Sequence, residues 1–276
     1  MTNKSIICSP AELDTNNFVI SELFSEGVMP MAFINHKNMG KPMSIITKSI
    51  QITSYGIPSL RSDKGGFCQN DGERQYIIIP LDPDQSGCME LQDALSRIDS
   101  YIGSDEVKKM LFGPKKWDKY AYKPIVRSKG IHYDDDDDDD DSEEDYPKKT
   151  TQDLPPYCKV KLVVENNNNK TIVKCNGKKV STNTITDITR YVKYKCMAIF
   201  TIRIQKIWAL KCPTNSYNKI WYGTGLCMEK ISVGKNQYEF VDYGVPIYNM
   251  DGLRKVYKKY IDENKKPIKR HVMIEI

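Results

Sequence analysis

One stretch constrains the fold more than any other: YVKYKCMAIFTIRIQKIWALK, residues 191–211. Val192, Tyr194, Cys196, Ala198, Phe200, Ile202 and Ile204 alternate with Tyr191, Lys193, Lys195, Met197, Ile199, Thr201 and Arg203. Successive side chains of a strand point to opposite faces, so this pattern gives one apolar face and one that mixes bases with rings. Ordinary strands run to about five or six residues, and this run has 21. A strand that long must bend at a bulge or corner, as barrel walls do.

The same texture recurs. MSIITKSIQITSYG from Met43, QYIIIPL (75–81), YCKVKLVVE (157–165), KTIVKCNGKK (170–179) and WYGTGLCMEKISV (221–233) all read as strands. Gly223 and Gly225 ease curvature in the last of them. Turns are expected at NNNN (166–169) and Asn176-Gly177, and a glycine-containing loop at 61–74. Residues 86–102 change period: Leu91, Leu95, Ile98 and Ile102 share one helical face. A second helix is expected over 249–266, capped by Asp251, with Leu253, Val256, Tyr257, Tyr260 and Ile261 as its stripe. Phe18, Leu23, Phe24 and Phe33 are the expected anchors of a weakly patterned start. The fold class read from this is mainly β, an oligonucleotide-binding (OB) type barrel with an inserted helix and a C-terminal helix. The expected organisation is an N-terminal extension (1–42), the barrel (43–233) with an acidic loop (131–150), and a helical tail (234–276).

Charge is unevenly placed. The chain carries 41 Lys+Arg and 36 Asp+Glu, and 11 of the acidic residues fall between Asp134 and Asp145. Outside that block, 41 bases face 25 acids, a surplus of 16. A body of that charge attracts polyanions, among which nucleic acid is the commonest. The run Asp134–Asp141 repels itself and cannot bury apolar area, so it reads as a loop without fixed structure. Its two readings are a solvated connector and a tethered phosphate mimic that competes for the basic groove.

Other classes find little support. No apolar stretch reaches the roughly 18 residues that span a membrane, and MTNKSIICSPAELD lacks the apolar centre of a secretory signal. Eight cysteines include no C-x-x-C pair, so the expectation is a reducing, intracellular setting with no metal and no cofactor. His36, His132 and His271 stand far apart, and no phosphate-binding, zinc-hydrolase or nucleophile-elbow motif occurs. The chain therefore reads as a binding protein, not an enzyme.

What repeats is rings among bases: KKWDKYAYK (115–123), RYVKYK (190–195), KIW (206–208) and KIWYG (219–223). Flat rings stack on unpaired bases while lysine and arginine neutralise the phosphates between them. Trp117, Tyr120, Tyr122, Tyr191 and Trp221 are the candidate rings; Lys123, Arg127, Lys193, Lys195 and Arg203 are the candidate phosphate contacts. Rings on alternating strands also serve as core, and Tyr122, Tyr194 and Trp208 are open to that reading.

The order of KYAYKPIVR (119–127), PPYCKVKL (155–162), ITDITRYVKYKCMAIFTIRIQKIWA (185–209) and YGTGLCMEKI (222–231) resembles the single-stranded DNA-binding proteins of large nucleocytoplasmic DNA viruses. More distantly it resembles the helix-destabilising proteins of phages, whose acidic segment is C-terminal where this one is internal. The resemblance covers residues 43 to 233. It implies a barrel that coats single-stranded DNA exposed in viral replication, repair or recombination. The implied setting is a cytoplasmic viral factory, the nucleus or the virion. RNA, viral replication proteins and a second copy of the chain stay open as partners. The competing reading is an interaction protein that docks basic partners through the acidic loop and last helix.

Overall fold

The computed structural model describes residues 5–61, 68–128, 154–213 and 218–234, and the backbone of 238–240 and 246–248. The acidic run and the helix expected over 249–266 lie outside the described residues, as do His132 and His271.

The chain opens with β1 (Ile6–Cys8), then a hairpin of β2 (Phe18–Ile20) and β3 (Met31–His36), then β4 (Met43–Ile46) and β5 (Ile50–Gln51). Of the four expected anchors, Phe18 is buried and Leu23 packs against the core, whereas Phe24 and Phe33 are exposed. β6 (Tyr76–Pro80) leads into α1 (Ser86–Ile102), which buries the expected Leu91, Leu95, Ile98 and Ile102 together with Cys88 and Ala94. A further helix, α2 (Asp105–Phe112), follows at once. Ser104 caps it by accepting from the Val107 N–H, Asp105 and Glu106 favour its positive end, and Gly113 stops it at φ 76°.

After a single 3-10 turn, Trp117–Lys119, come β7 (Tyr120–Lys123) and β8 (Val126–Arg127). β9 (Tyr157–Leu162) alternates as a half-buried strand should. β10 (Val164–Glu165) and β11 (Asn168–Asn169) turn at Asn166 and Asn167, both at positive φ. β12 (Ile172–Cys175) and β13 (Lys178–Val180) turn at Asn176-Gly177, also at positive φ. α3 (Ile185–Thr189) begins with a capping box between Thr184 and Asp187.

The long strand expected from residue 191 begins later. β14 spans Met197–Ala209, and residues 190–195 form turns after α3. Lys195 stands at φ 63° and donates its N–H to the Ile52 carbonyl at 2.7 Å, which fixes the corner. Val192 and Cys196 are buried as their pattern suggests, but from the corner and not from a strand. Register shifts at Thr201/Ile202 and Ile204/Lys206 supply the bends that so long a strand needs.

β15 (Ile220–Val233) is the spine. It pairs antiparallel with β14 along one edge and parallel with β7, β9 and β12 in turn. β14 carries β5, β4 and β3 in succession. β9 continues to β6 and β8, and β1 runs parallel to β4. Among the described residues this is one mixed sheet of thirteen strands, mainly β in class, whose ladders do not close into a ring. A single isolated bridge links the segment after β5 to β6: Gly56 and Ile78 exchange both N–H···O bonds at 2.9 Å.

Residues before 43 are therefore part of the sheet, through β1 and β3. The chain divides into two units, residues 1–233 and 234–276. In the second, β16 (Tyr238–Phe240) pairs antiparallel with β17 (Pro246–Tyr248).

α1 packs on the face to which Tyr222 points, and the Tyr222 hydroxyl donates to the Ile102 carbonyl at 2.8 Å. Phe200, Ile202, Ile204, Val160, Ile77 and Ile79 fill the same core with no exposed area. All eight cysteines are free thiols, and burial raises those of Cys88 and Cys158 to about 11 and about 12. Among the described residues, no helix is long and apolar enough to cross a membrane, and no cluster of His, Cys, Asp or Glu could hold a metal.

Candidate nucleic-acid interface

The alternation of β9 sorts its residues onto two faces. Cys158, Val160 and Leu162 are fully buried, so Tyr157, Lys159 and Lys161 lie on the face away from the core. On β6, Tyr76 stands opposite Lys161 and Ile78 opposite Lys159. The Lys159 ammonium lies 3.9 Å from the centre of the Tyr76 ring, a cation–π contact. Tyr55 joins them, its ring 5.0 Å from that of Tyr157. A left-handed backbone (φ 63°) and a hydroxyl bond to the Pro155 carbonyl at 3.2 Å hold Tyr55 there. Burial and the neighbouring Tyr157 raise its hydroxyl above the ordinary value, so the ring stays neutral. Three rings and two lysines thus share one surface.

The same face continues across β15 and β14. Lys161 aligns with Cys227, and Cys227 with Arg203. Farther along, Trp208 stands opposite Gly223, and Lys206 opposite Gly225. These residues alternate with Ala209 and Tyr222, which are buried on the α1 side. The Trp208 indole lies flat along the glycines: a Cβ built on Gly223 would sit 2.8 Å from its Cζ2, and one on Gly225 3.8 Å from its Cδ1. Glycine weakens a strand, and here it makes room for a close aromatic approach. Gly223→Ala is expected to lift the indole, shift its fluorescence and cost about 1–3 kcal/mol by overpacking. An unchanged spectrum and urea midpoint would mean that the ring does not rest there.

The residues singled out from sequence fall into separate places. Trp117 packs beneath Lys109 and Lys108, whose ammonium groups are 4.7 and 5.4 Å from its ring centroid. Tyr120 stacks on Phe112 at 3.5 Å. Tyr122 turns inward, donating to Asp99 Oδ1 at 2.7 Å and lying 3.0 Å from Thr224 Oγ1. Burial first, and then Asp99, push the Tyr122 hydroxyl well above the ordinary value. Trp221 and Lys123 lie at the β7–β15 pairing, opposite Ala121 and Gly223. Arg127 stands opposite Tyr157, at the rim of the Tyr55–Tyr157 pair.

Tyr191, Lys193 and Lys195 occupy the corner after α3. Both lysines are exposed, and Tyr194 beside them is 66% exposed, so that ring is not core. Arg203 pairs with Glu229 (3.5 Å) and approaches the Cys227 thiol (3.9 Å). Glu229 also accepts from Ser5 and Ser44 at 2.9 Å each, so a partner already balances the Arg203 charge.

Tyr55, Tyr76, Tyr157, Lys159 and Lys161 escaped sequence reasoning. The available signal was the exposed parity of YCKVKL, with bases at alternate positions behind a tyrosine.

No family model matches the chain. It is similar to an uncharacterized protein of Acanthamoeba polyphaga mimivirus, with 32% identity over 243 residues. The match takes in 81% of this chain and 60% of that protein's length.

Proposed function

We propose that the chain binds single-stranded nucleic acid without regard to sequence, through the face carrying Tyr55, Tyr76, Tyr157, Lys159 and Lys161. The observation that carries this reading is the Lys159 ammonium over Tyr76, beside the Tyr55–Tyr157 pair. A base stacking on Tyr76 displaces the ammonium, and the flexible lysine stem can carry it to the adjacent phosphate.

The sheet supports an OB-type reading. The β4–β5 segment, β6, β9, β15 and β14 follow one another around the sheet, and the Gly56–Ile78 bridge returns β6 to the first segment. Third and fifth strands, β9 and β15, run parallel. We read this as a partly open Greek-key arrangement of five walls, and in such barrels the second and third strands carry the oligonucleotide. Here those strands are β6 and β9. The resemblance drawn from sequence supports a role in coating DNA strands exposed in viral replication, repair or recombination, and the similarity to a mimivirus protein bears on the viral setting alone.

Labelled oligo-dT, the matching duplex and an RNA of equal length, titrated at two salt concentrations, test the proposal. Log affinity for oligo-dT is expected to fall with log salt at about −0.7 per phosphate contacted. Preference for DNA over RNA, if present, reports contacts at the 2′ position. Affinity that is flat in salt, or absent for every oligonucleotide, would sink the proposal and leave the interaction-protein reading.

A further inference from the structure

The β2–β3 hairpin buries one face and leaves the other bare. Ala32 and Ile34 have 0% and 1% exposure, whereas Phe33 between them is 44% exposed and Phe24 is 52% exposed. The two phenyl rings lie 6.0 Å apart, tilted at 58° to each other. Phe33 stands opposite Lys206, and the next pair on the same face, beyond Ala32 and Ile207, is Met31 with Trp208. Phe33 and Trp208 are thus diagonal neighbours on the face that carries the candidate interface, with Lys206 between them. Diagonal neighbours of this kind lie within reach of aromatic side chains, at about 7–8 Å. The order is ring, ammonium, ring, as at Tyr76, Lys159 and Tyr157.

Three features distinguish this patch from incidental exposure. The Trp208 indole packs closely over Gly223 and Gly225, so its ring spans two glycines of β15 and is only partly buried. Phe24 and Phe33 are held side by side at the end of a ladder, with Phe24 bridged to Met31. The Lys211 ammonium donates to the Gly27 carbonyl at 2.6 Å, adding a cation beside the hairpin turn. Glu22 and Glu26 flank Phe24 in sequence, so the cations that suit a polyanion come from β14 and its end.

We infer that Trp208, Phe33 and Phe24 form a second stacking subsite for the same single strand, with Lys206 neutralising its backbone. The inference rests on the proposed function and extends it: the strand runs from β6–β9 across β15 and β14 to the hairpin. At about 4.8 Å between neighbouring strands, the four steps from β6 to β3 cover roughly 19 Å across the sheet, and the offset from Cys227 to Gly223 adds about 13 Å along β15. A short oligonucleotide fills the first subsite alone, and a long one reaches both.

The test compares short and long oligo-dT on wild type, on Phe24→Ala/Phe33→Ala and on Tyr76→Ala, with sedimentation of each. The exposed phenyl pair can be removed without opening the core. The phenyl-pair variant is expected to bind long oligo-dT at least about tenfold more weakly and short oligo-dT like wild type. Tyr76→Ala is expected to lose affinity for both. If the phenyl-pair variant keeps full affinity for the long oligomer while Tyr76→Ala loses it, the second subsite is wrong and the first stands. If wild type binds neither oligomer, the proposed function fails and this inference with it. If the variant instead turns a dimer into a monomer with unchanged affinity per site, the hairpin is a self-contact and the inference is overturned.

Discussion

Replacing Tyr76 and Tyr157 together by alanine is expected to weaken oligo-dT binding by about two orders of magnitude without unfolding the protein. Each stacked base is worth roughly 1–3 kcal/mol, so two rings sum to about 2–6 kcal/mol. The rings share one surface and their effects need not add, which favours the lower half of that range. Stability is expected to hold because the apolar halves of both strands, Ile77, Ile79, Cys158 and Val160, are untouched and fully buried. Anisotropy titration and a urea melt of the same preparation check both statements. A variant that melts early yet binds like wild type would show the tyrosines to be packing residues.

The second large effect concerns the core. Tyr222 has no exposed area, meets the rings of Phe112 and Tyr122 at 5.1 and 5.2 Å, and bonds the last carbonyl of α1. Removing a large buried ring costs about 3–5 kcal/mol, so Tyr222→Ala is expected to lower the urea midpoint sharply. Tyr222→Phe keeps the ring and loses only the hydroxyl, leaving the Ile102 carbonyl unpaired at about 1–3 kcal/mol. The difference between the two variants measures the ring itself. Burial holds the Tyr222 hydroxyl well above its ordinary value, so in the wild type it stays protonated and donates to Ile102 throughout the neutral range.

Sequence carried the strand texture, the stripe of α1 and the turn at Asn176-Gly177, because each is written within a few consecutive residues. The corner at 190–195 was illegible. Its apolar parity, Val192 and Cys196, continues that of β14, and the turn shows only in the fold, in the left-handed Lys195 and in hydrogen bonds such as that from Lys195 to Ile52. α2 was missed because eight residues hold scarcely two turns of periodicity. The candidate face was hidden for a different reason. Tyr55, Tyr76 and Tyr157 lie far apart along the chain and meet only through the β6–β9 pairing and the Gly56 bridge. Local clusters misled in the opposite sense. KYAYK places rings beside lysines, yet Tyr120 and Tyr122 share a parity that faces Phe112 and Asp99.

The spine arrives after every strand it pairs with. During synthesis β7, β9, β12 and β14 all leave the ribosome before residues 220–233, the strand to which each of them pairs. Contacts of this kind span long stretches of chain, up to the 224 residues between Ser5 and Glu229, and folds built from them assemble slowly. Until β15 emerges, four unsatisfied strand edges wait in one nascent chain, a state open to wrong pairing and aggregation. Chains terminated short of Ile220 are therefore expected to be insoluble instead of partly folded, and pulse-labelled synthesis is expected to show insertion of β15 as the slow step.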